Sequence, residues 1–245
     1  MTFLPPRAAI ECLDQALVLG RRSFWRVLRL ALLPLLLYYG IIVLMNQHAF
    51  GYWIRTPLSI ALYGFLGVIE ALTTVGAWDV AQGKSIVVAE VWERVGHRLG
   101  SVVVSSWIRI VMILLGSVAF VIPGIYFFAV YFAVPGINVI EDLGPWDSLV
   151  RSRALALRSL TGILLSLGLF WLIGAVIAIA IPRVLYELHL RGDSILYIVA
   201  SAVWAALFMP FRGALVATVY LELRKRKEGY DLQHLMDMLP APLGA

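Results

Sequence analysis

Three ionisable residues stand alone inside otherwise apolar stretches of this sequence. Glu70 is the single charge between Pro57 and Trp78, Arg109 the single charge between Leu99 and Ile140, and Arg212 the single charge between Ser194 and Leu221. A charge at bilayer depth is costly, so such a residue faces the protein interior or a cavity and finds a partner. Glu70 lies nine residues from Asp79, Arg109 eleven from Arg98, and Arg212 ten from Glu222. At about 1.5 Å per helical residue, all three share one layer, roughly 14–17 Å from the same membrane face. One reading is a buried salt bridge that fixes helix packing. A second is a binding site: one glutamate against two arginines leaves a positive charge suited to an anion such as a lipid phosphate or carboxylate. A third is snorkelling of Arg109 toward the nearer interface.

Other chemistry has little to stand on. His48, His97, His189 and His234 lie in four separate segments, with no HExxH or CxxC spacing, so no metal site or cofactor is expected. Neither a GxSxG elbow nor a Walker loop occurs. Ser105-Ser106 and Thr73-Thr74 read as interhelical hydrogen-bonding groups. Gly162, Ser166, Gly168, Ala202, Ala205 and Ala206 read as small residues for close helix contact. The lone Cys12 has no disulfide partner in the chain.

The elements that must position the three charges follow from composition. Apolar residues make up 61% and charged residues 14% of the 245 residues, where a soluble domain has about 25% charged. Mean hydropathy is +0.88. Continuously apolar runs, without period-2 alternation, predict helices rather than barrel strands. About 20 apolar residues are needed per span. Six spans result, over roughly 24–46, 57–78, 99–122, 125–141, 159–182 and 194–221. Pro123-Gly124 is read as the turn between the third and fourth, and Pro135-Gly136 as a break within the fourth. The fold class is therefore all-α, a polytopic membrane protein with one six-helix domain over 1–223 and a cytoplasmic tail over 224–245.

Orientation comes from lysine and arginine. With the N-terminus inside, fifteen of the twenty fall on the cytoplasmic side and three outside, Arg55, Arg183 and Arg191. This bias places both termini in the cytoplasm. The start, residues 1–15, lacks an apolar h-region, so no cleavable signal peptide is expected. Three segments before outgoing spans, Ala8–Arg22, Ser85–Arg98 and Pro145–Arg158, carry apolar residues at helical spacing. They predict three amphipathic interfacial helices, and with them three repeated helix-hairpin units.

Two stretches are distinctive. One holds Ile122-Pro123-Gly124-Ile125, Pro135, Glu141 and Ser148-Leu149-Val150-Arg151-Ser152 with Leu155. The other runs from Tyr220 through Glu222, Arg224, Arg226, Glu228 and Gly229 to Leu232. Together they resemble a bacterial multi-helix membrane protein family related to the membrane domain of glycerophosphodiester phosphodiesterases. That family's last helix ends in Tyr-x-Asp-Leu-Arg-x-Arg-x-Glu-Gly-x-Asp-Leu, with Glu222 here in place of the first Asp. The resemblance implies a six-helix protein of the bacterial cytoplasmic membrane. It implies no activity.

The expectation for function is a non-enzymatic membrane protein that scaffolds a complex or engages lipid. The alternative is a small-molecule or lipid transporter or exporter subunit using the buried charges. Candidate ligand-binding residues are Glu70, Arg109 and Arg212. Expected partners are membrane lipids of the anionic inner leaflet, with a protein partner or a second copy of the chain also in view. The charge of +5 is assigned to basic loops facing that leaflet and not to nucleic acid.

Overall fold

The computed structural model describes residues 6–47, 52–157, 159–187 and 195–229. Every regular element among them is a helix: α1 (Pro6–Gln47), α2 (Tyr52–Ala81), α3 (Val88–His97), α4 (Leu99–Ala119), α5 (Val121–Val130), α6 (Val134–Ile140), α7 (Pro145–Ala156), α8 (Leu160–Glu187) and α9 (Ile195–Glu228). Six stretches are long and apolar enough to cross a membrane, in α1, α2, α4, α5 with α6, α8 and α9. The chain is an all-helical, multi-pass membrane protein. Arg191, Ser194 and the tail beyond Gly229 lie outside the described residues.

The first amphipathic segment is not a helix of its own. Residues 8–22 run straight into the first span, and α1 is continuous over 42 residues. No proline or turn pair falls between Pro6 and Pro34 to stop it. Ser23 Oγ bonds back to the Leu19 carbonyl at 2.8 Å, and Gly20 makes room for the Phe211 ring. At about 63 Å long against a core of about 30 Å, one end of α1 must project well beyond the apolar layer.

The other two segments do form separate short helices. In α3, Val91 and Val95 are buried while Glu90, Glu93 and His97 are exposed. Arg94 pairs with Asp79 and ties α3 to the end of α2. Pro145 opens α7 with Asp147 in its first turn, where a missing N–H costs nothing and a carboxylate meets the helix dipole. The apolar residues at helical spacing in this segment are Trp146, Leu149 and Leu157. Of these only Leu149 is buried, alongside Ser148, Ser152, Leu155 and Ala156. The serines can be inside because they are bonded: Ser152 Oγ donates to the Val130 carbonyl at 2.7 Å and Ser148 Oγ to that of Pro145 at 2.9 Å.

Both Pro-Gly pairs sit just inside helices, not in the breaks. The turn between α4 and α5 is at Phe120, in extended conformation, and Pro123 occupies the first turn of α5. Proline there removes an N–H that has no intrahelical acceptor anyway. Gly124 lies against Ser117, whose Oγ would be 2.1 Å from an added Cβ. The break in the fourth span is at 131–133, and Pro135 lies in the first turn of α6.

α1, α2 and α9 pack on one another most extensively, α4 and α6 cover the other side of α2, and α8 lies outside against α1, α5 and α9. The main core gathers Trp78, Ile137, Ile163, Leu215, Tyr220 and Leu223 among others. α2 is the hub, and small residues bring its neighbours close. A Cβ at Gly67 would lie 1.9 Å from Ser106 Oγ on α4, one at Gly136 2.5 Å from Thr74 Cγ2, and one at Gly213 2.6 Å from the Thr73 backbone. Gly168, expected at a close contact, has open space where a Cβ would go.

Candidate functional site

Gly67 stands one turn before Glu70 on α2, and Gly213 follows Arg212 on α9. The close approach they allow brings α4 and α9 against α2 at the level of Glu70. There the carboxylate is forked between two cations. Glu70 Oε2 accepts from Arg109 Nη1 at 2.7 Å, and Glu70 Oε1 lies 2.7 Å from Arg212 Nη2. The side chains of Arg109, Glu70 and Arg212 are 9%, 12% and 13% exposed. The three charges counted to one depth thus form one cluster, and Arg109 points inward rather than snorkelling. Arg212 also lies over the Trp171 ring, 5.4 Å from its centroid, a distance at which a cation is attracted to the aromatic face. Arg109 Nε is buried and has no hydrogen-bond partner among the described residues.

The cluster forms part of the wall of a cavity of about 200 Å³ enclosed by α2, α4, α5, α8 and α9. Phe128, Phe170, Leu167, Ile113 and Leu215 make most of its lining apolar. Two of its lining residues are exposed, Tyr63 at 52% and Trp171 at 39%, so the cavity is a lateral cleft. Both lie on candidate spans, and Tyr63 is seven residues from Glu70, about 10 Å along α2. The mouth of the cleft is therefore framed by residues of two candidate spans.

A second charged cluster, not anticipated from the sequence, joins the two distinctive stretches. Arg151 on α7 takes Glu141 through Nε at 2.7 Å and Nη2 at 3.0 Å. Its Nη1 lies 2.5 Å from Glu228 at the end of α9. Arg224 bonds Glu228 at 3.1 Å, and the buried Tyr220 hydroxyl donates to Glu141. Burial works against the Arg151 charge, but the two carboxylates outweigh it and hold its pKa above the usual arginine value. On α4's side, a hydrogen bond from Arg98 holds Asp142 below the ordinary carboxylate range. The basic run at the end of α9 is engaged with the protein: Arg226 pairs with Glu222, and Lys227 donates to the Ala154 and Leu157 carbonyls ending α7. α9 therefore continues as part of the bundle past Leu223.

This cluster makes a checkable prediction. Glu141→Ala removes the acceptor shared by Arg151 and Tyr220, at a cost of about 1–3 kcal/mol for the stranded donors. Trypsin should then cut at Arg224–Lys227 several-fold faster than in the parent. Arg151→Lys should behave much like Arg151→Ala, since an ammonium cannot reproduce the planar fork across two carboxylates. Unchanged cleavage in both would mean that the cluster does not hold α9 in place.

Among the described residues no group of three metal-ligating side chains comes together. His97 faces solvent beside Glu93 at 3.8 Å, and His48, His189 and His234 are outside the described set. Ser105 and Ser166 donate to carbonyls of their own helices and not across to a neighbour. No family model, curated protein or solved structure matches the chain.

Proposed function

We propose that this protein is a non-enzymatic, lipid-engaging component of the bacterial cytoplasmic membrane, with the lateral cleft as the place where it holds an amphiphile. The observation that supports this most directly is the cleft itself: an apolar recess framed by the span residues Tyr63 and Trp171 and ending on a buried charged cluster; on this topology its mouth falls at acyl-chain depth. Both termini lie in the cytoplasm, and α3 and α7 lie along the inner leaflet, with the front of α1 as the third amphipathic member. The exposed Ile10, Leu17 and Trp146 suit that contact. Three hairpins, each preceded by such a segment, form a repeat. The family resemblance noted above is in keeping with this arrangement.

The transporter reading has one observation in its favour: the cleft reaches Glu70 deep within the bundle. Full pairing of Glu70 by two arginines favours a fixed binding element over a carboxylate that loads and releases protons.

Acyl chains carrying a diazirine near the terminal methyl should cross-link, in native membranes, to peptides holding Tyr63 and Trp171. Labelling of outward-facing residues such as Leu115 alone would remove the cleft from the proposal. Topology is tested separately in a Cys12→Ser background. Trp53→Cys and Ile122→Cys should react with an impermeant thiol reagent added outside. Lys84→Cys and Asp147→Cys should react only after permeabilisation. The reverse pattern would invert the membrane orientation.

A further inference from the structure

Resting on the cleft reading above, we infer that the occupant is an anionic amphiphile whose oxyanion headgroup, a carboxylate or phosphate, is held by Arg109. Three observations converge on that class. The first is charge. Glu70 balances only one of its two arginines, leaving one positive charge in a desolvated layer. Nearby acids on the packed elements are engaged elsewhere: Asp79 with Arg94, Glu141 with Arg151 and Glu222 with Arg226.

The second is the orphaned donor. Arg109 lines the cleft and is more than nine-tenths buried, yet its Nε–H has no acceptor among the described residues. A buried charged donor without a partner is rare and costly. A water molecule could accept the hydrogen bond but would leave the charge unbalanced. An oxyanion in the cleft supplies both once the guanidinium, committed to Glu70 through Nη1, turns its Nε edge toward it.

The third is shape. A cavity of about 150 Å³ accommodates a benzene, and whole drug-sized ligands need about 300–1,000 Å³. The 200 Å³ here holds a headgroup and the first few carbons, and the rest of a chain must leave past Tyr63 and Trp171 into the bilayer. A free inorganic anion would satisfy the charge and leave the apolar walls against nothing. A zwitterionic headgroup would bring a cation into a layer already positive.

The test uses the full chain in phosphatidylcholine nanodiscs, titrated with dodecanoate, dodecyl phosphate, dodecylphosphocholine or inorganic phosphate, with bound molecules counted by native mass spectrometry. One dodecanoate or dodecyl phosphate per chain is expected, at least tenfold tighter than dodecylphosphocholine and than inorganic phosphate. Arg109→Gln leaves Glu70 and Arg212 balanced and should weaken the anionic amphiphiles at least tenfold with helicity unchanged. If that variant does not fold, Arg212→Gln removes the same charge and should weaken them likewise. Equal binding of dodecylphosphocholine, insensitive to these substitutions, would overturn the anion assignment and leave the lipid cleft standing. Inorganic phosphate binding as tightly as dodecyl phosphate would overturn the amphiphile and leave a plain anion site. Retention of no amphiphile at all would overturn this inference together with the cleft reading.

Discussion

Glu70→Gln should be among the most destabilising single-atom-scale changes in the chain. It keeps shape and volume while removing the carboxylate paired with two arginines of 9% and 13% side-chain exposure. Breaking a buried pair by removing one partner costs about 3–5 kcal/mol, because the other charge is left uncompensated. Here two are left. Glu222→Gln is the control, since Glu222 pairs with Arg226 four residues along its own helix, and such partly exposed pairs contribute about 0.3–0.5 kcal/mol. In detergent, thermal unfolding of Glu70→Gln should come far below the parent and that of Glu222→Gln close to it. Glu70→Arg, with three cations at one level, should be worse still. The double variant Glu70→Gln with Arg109→Gln should recover part of the loss, because it leaves one arginine against the Trp171 face in place of two in repulsion. Equal unfolding temperatures for Glu70→Gln and Glu222→Gln would mean that the fork contributes nothing beyond a surface pair.

That fork was legible in the sequence because an isolated charge in a 20-residue apolar run has few places to go. Counting residues to the membrane face then put all three at one level without knowledge of the packing. The Glu141–Arg151–Glu228 cluster was not legible by the same means. Charges are ordinary at helix ends, and nothing in spacing says that the turn after α6 meets the last turn of α9. The sequence signal that could have found it was there in another form, since Glu141, Arg151, Tyr220, Arg224 and Glu228 all fall in the two stretches singled out as distinctive.

Where the sequence pattern and the fold differ, the reasons are physical too. The amphipathic segment Ala8–Arg22 reads as a separate interfacial helix, but a helix needs a backbone reason to stop, and α1 has none there. Pro-Gly reads as a turn, but proline is at home in the first turn of a helix, so both pairs mark starts and shift each break by a few residues. Small residues in spans read as contacts wherever they occur. Which of them touch a neighbour is decided by the facing helix: Gly168 meets nothing, while Gly67, Gly136 and Gly213 each meet α2 or α4 within van der Waals distance.

Gly213→Val should therefore be as damaging as any change at the charges, by a different route. The nearest atoms to a Cβ at position 213 are the carbonyl carbon and oxygen of Thr73, each at 2.6 Å, with Thr73 Cβ at 2.7 Å. Two of those three are backbone, so no rotamer change relieves the clash, and α9 must back away from α2. Overpacking of this kind costs about 1–3 kcal/mol even where side chains can adjust. Moving α9 would also carry Arg212 off Glu70, stretching a 2.7 Å contact and adding the cost of a weakened buried pair. Gly213→Ala should show the same effect at smaller size, and Gly168→Ala, which meets nothing within 4 Å, should be neutral or slightly stabilising through helix propensity. Thermal unfolding of the three variants in one detergent gives the ranking. The coupling is read from a cycle with Glu70→Gln: once the fork is broken, Gly213→Val should cost less than it does in the parent. Strict additivity would show that α9 can retreat from α2 without disturbing the charges, and that the glycine contact and the ion cluster are independent.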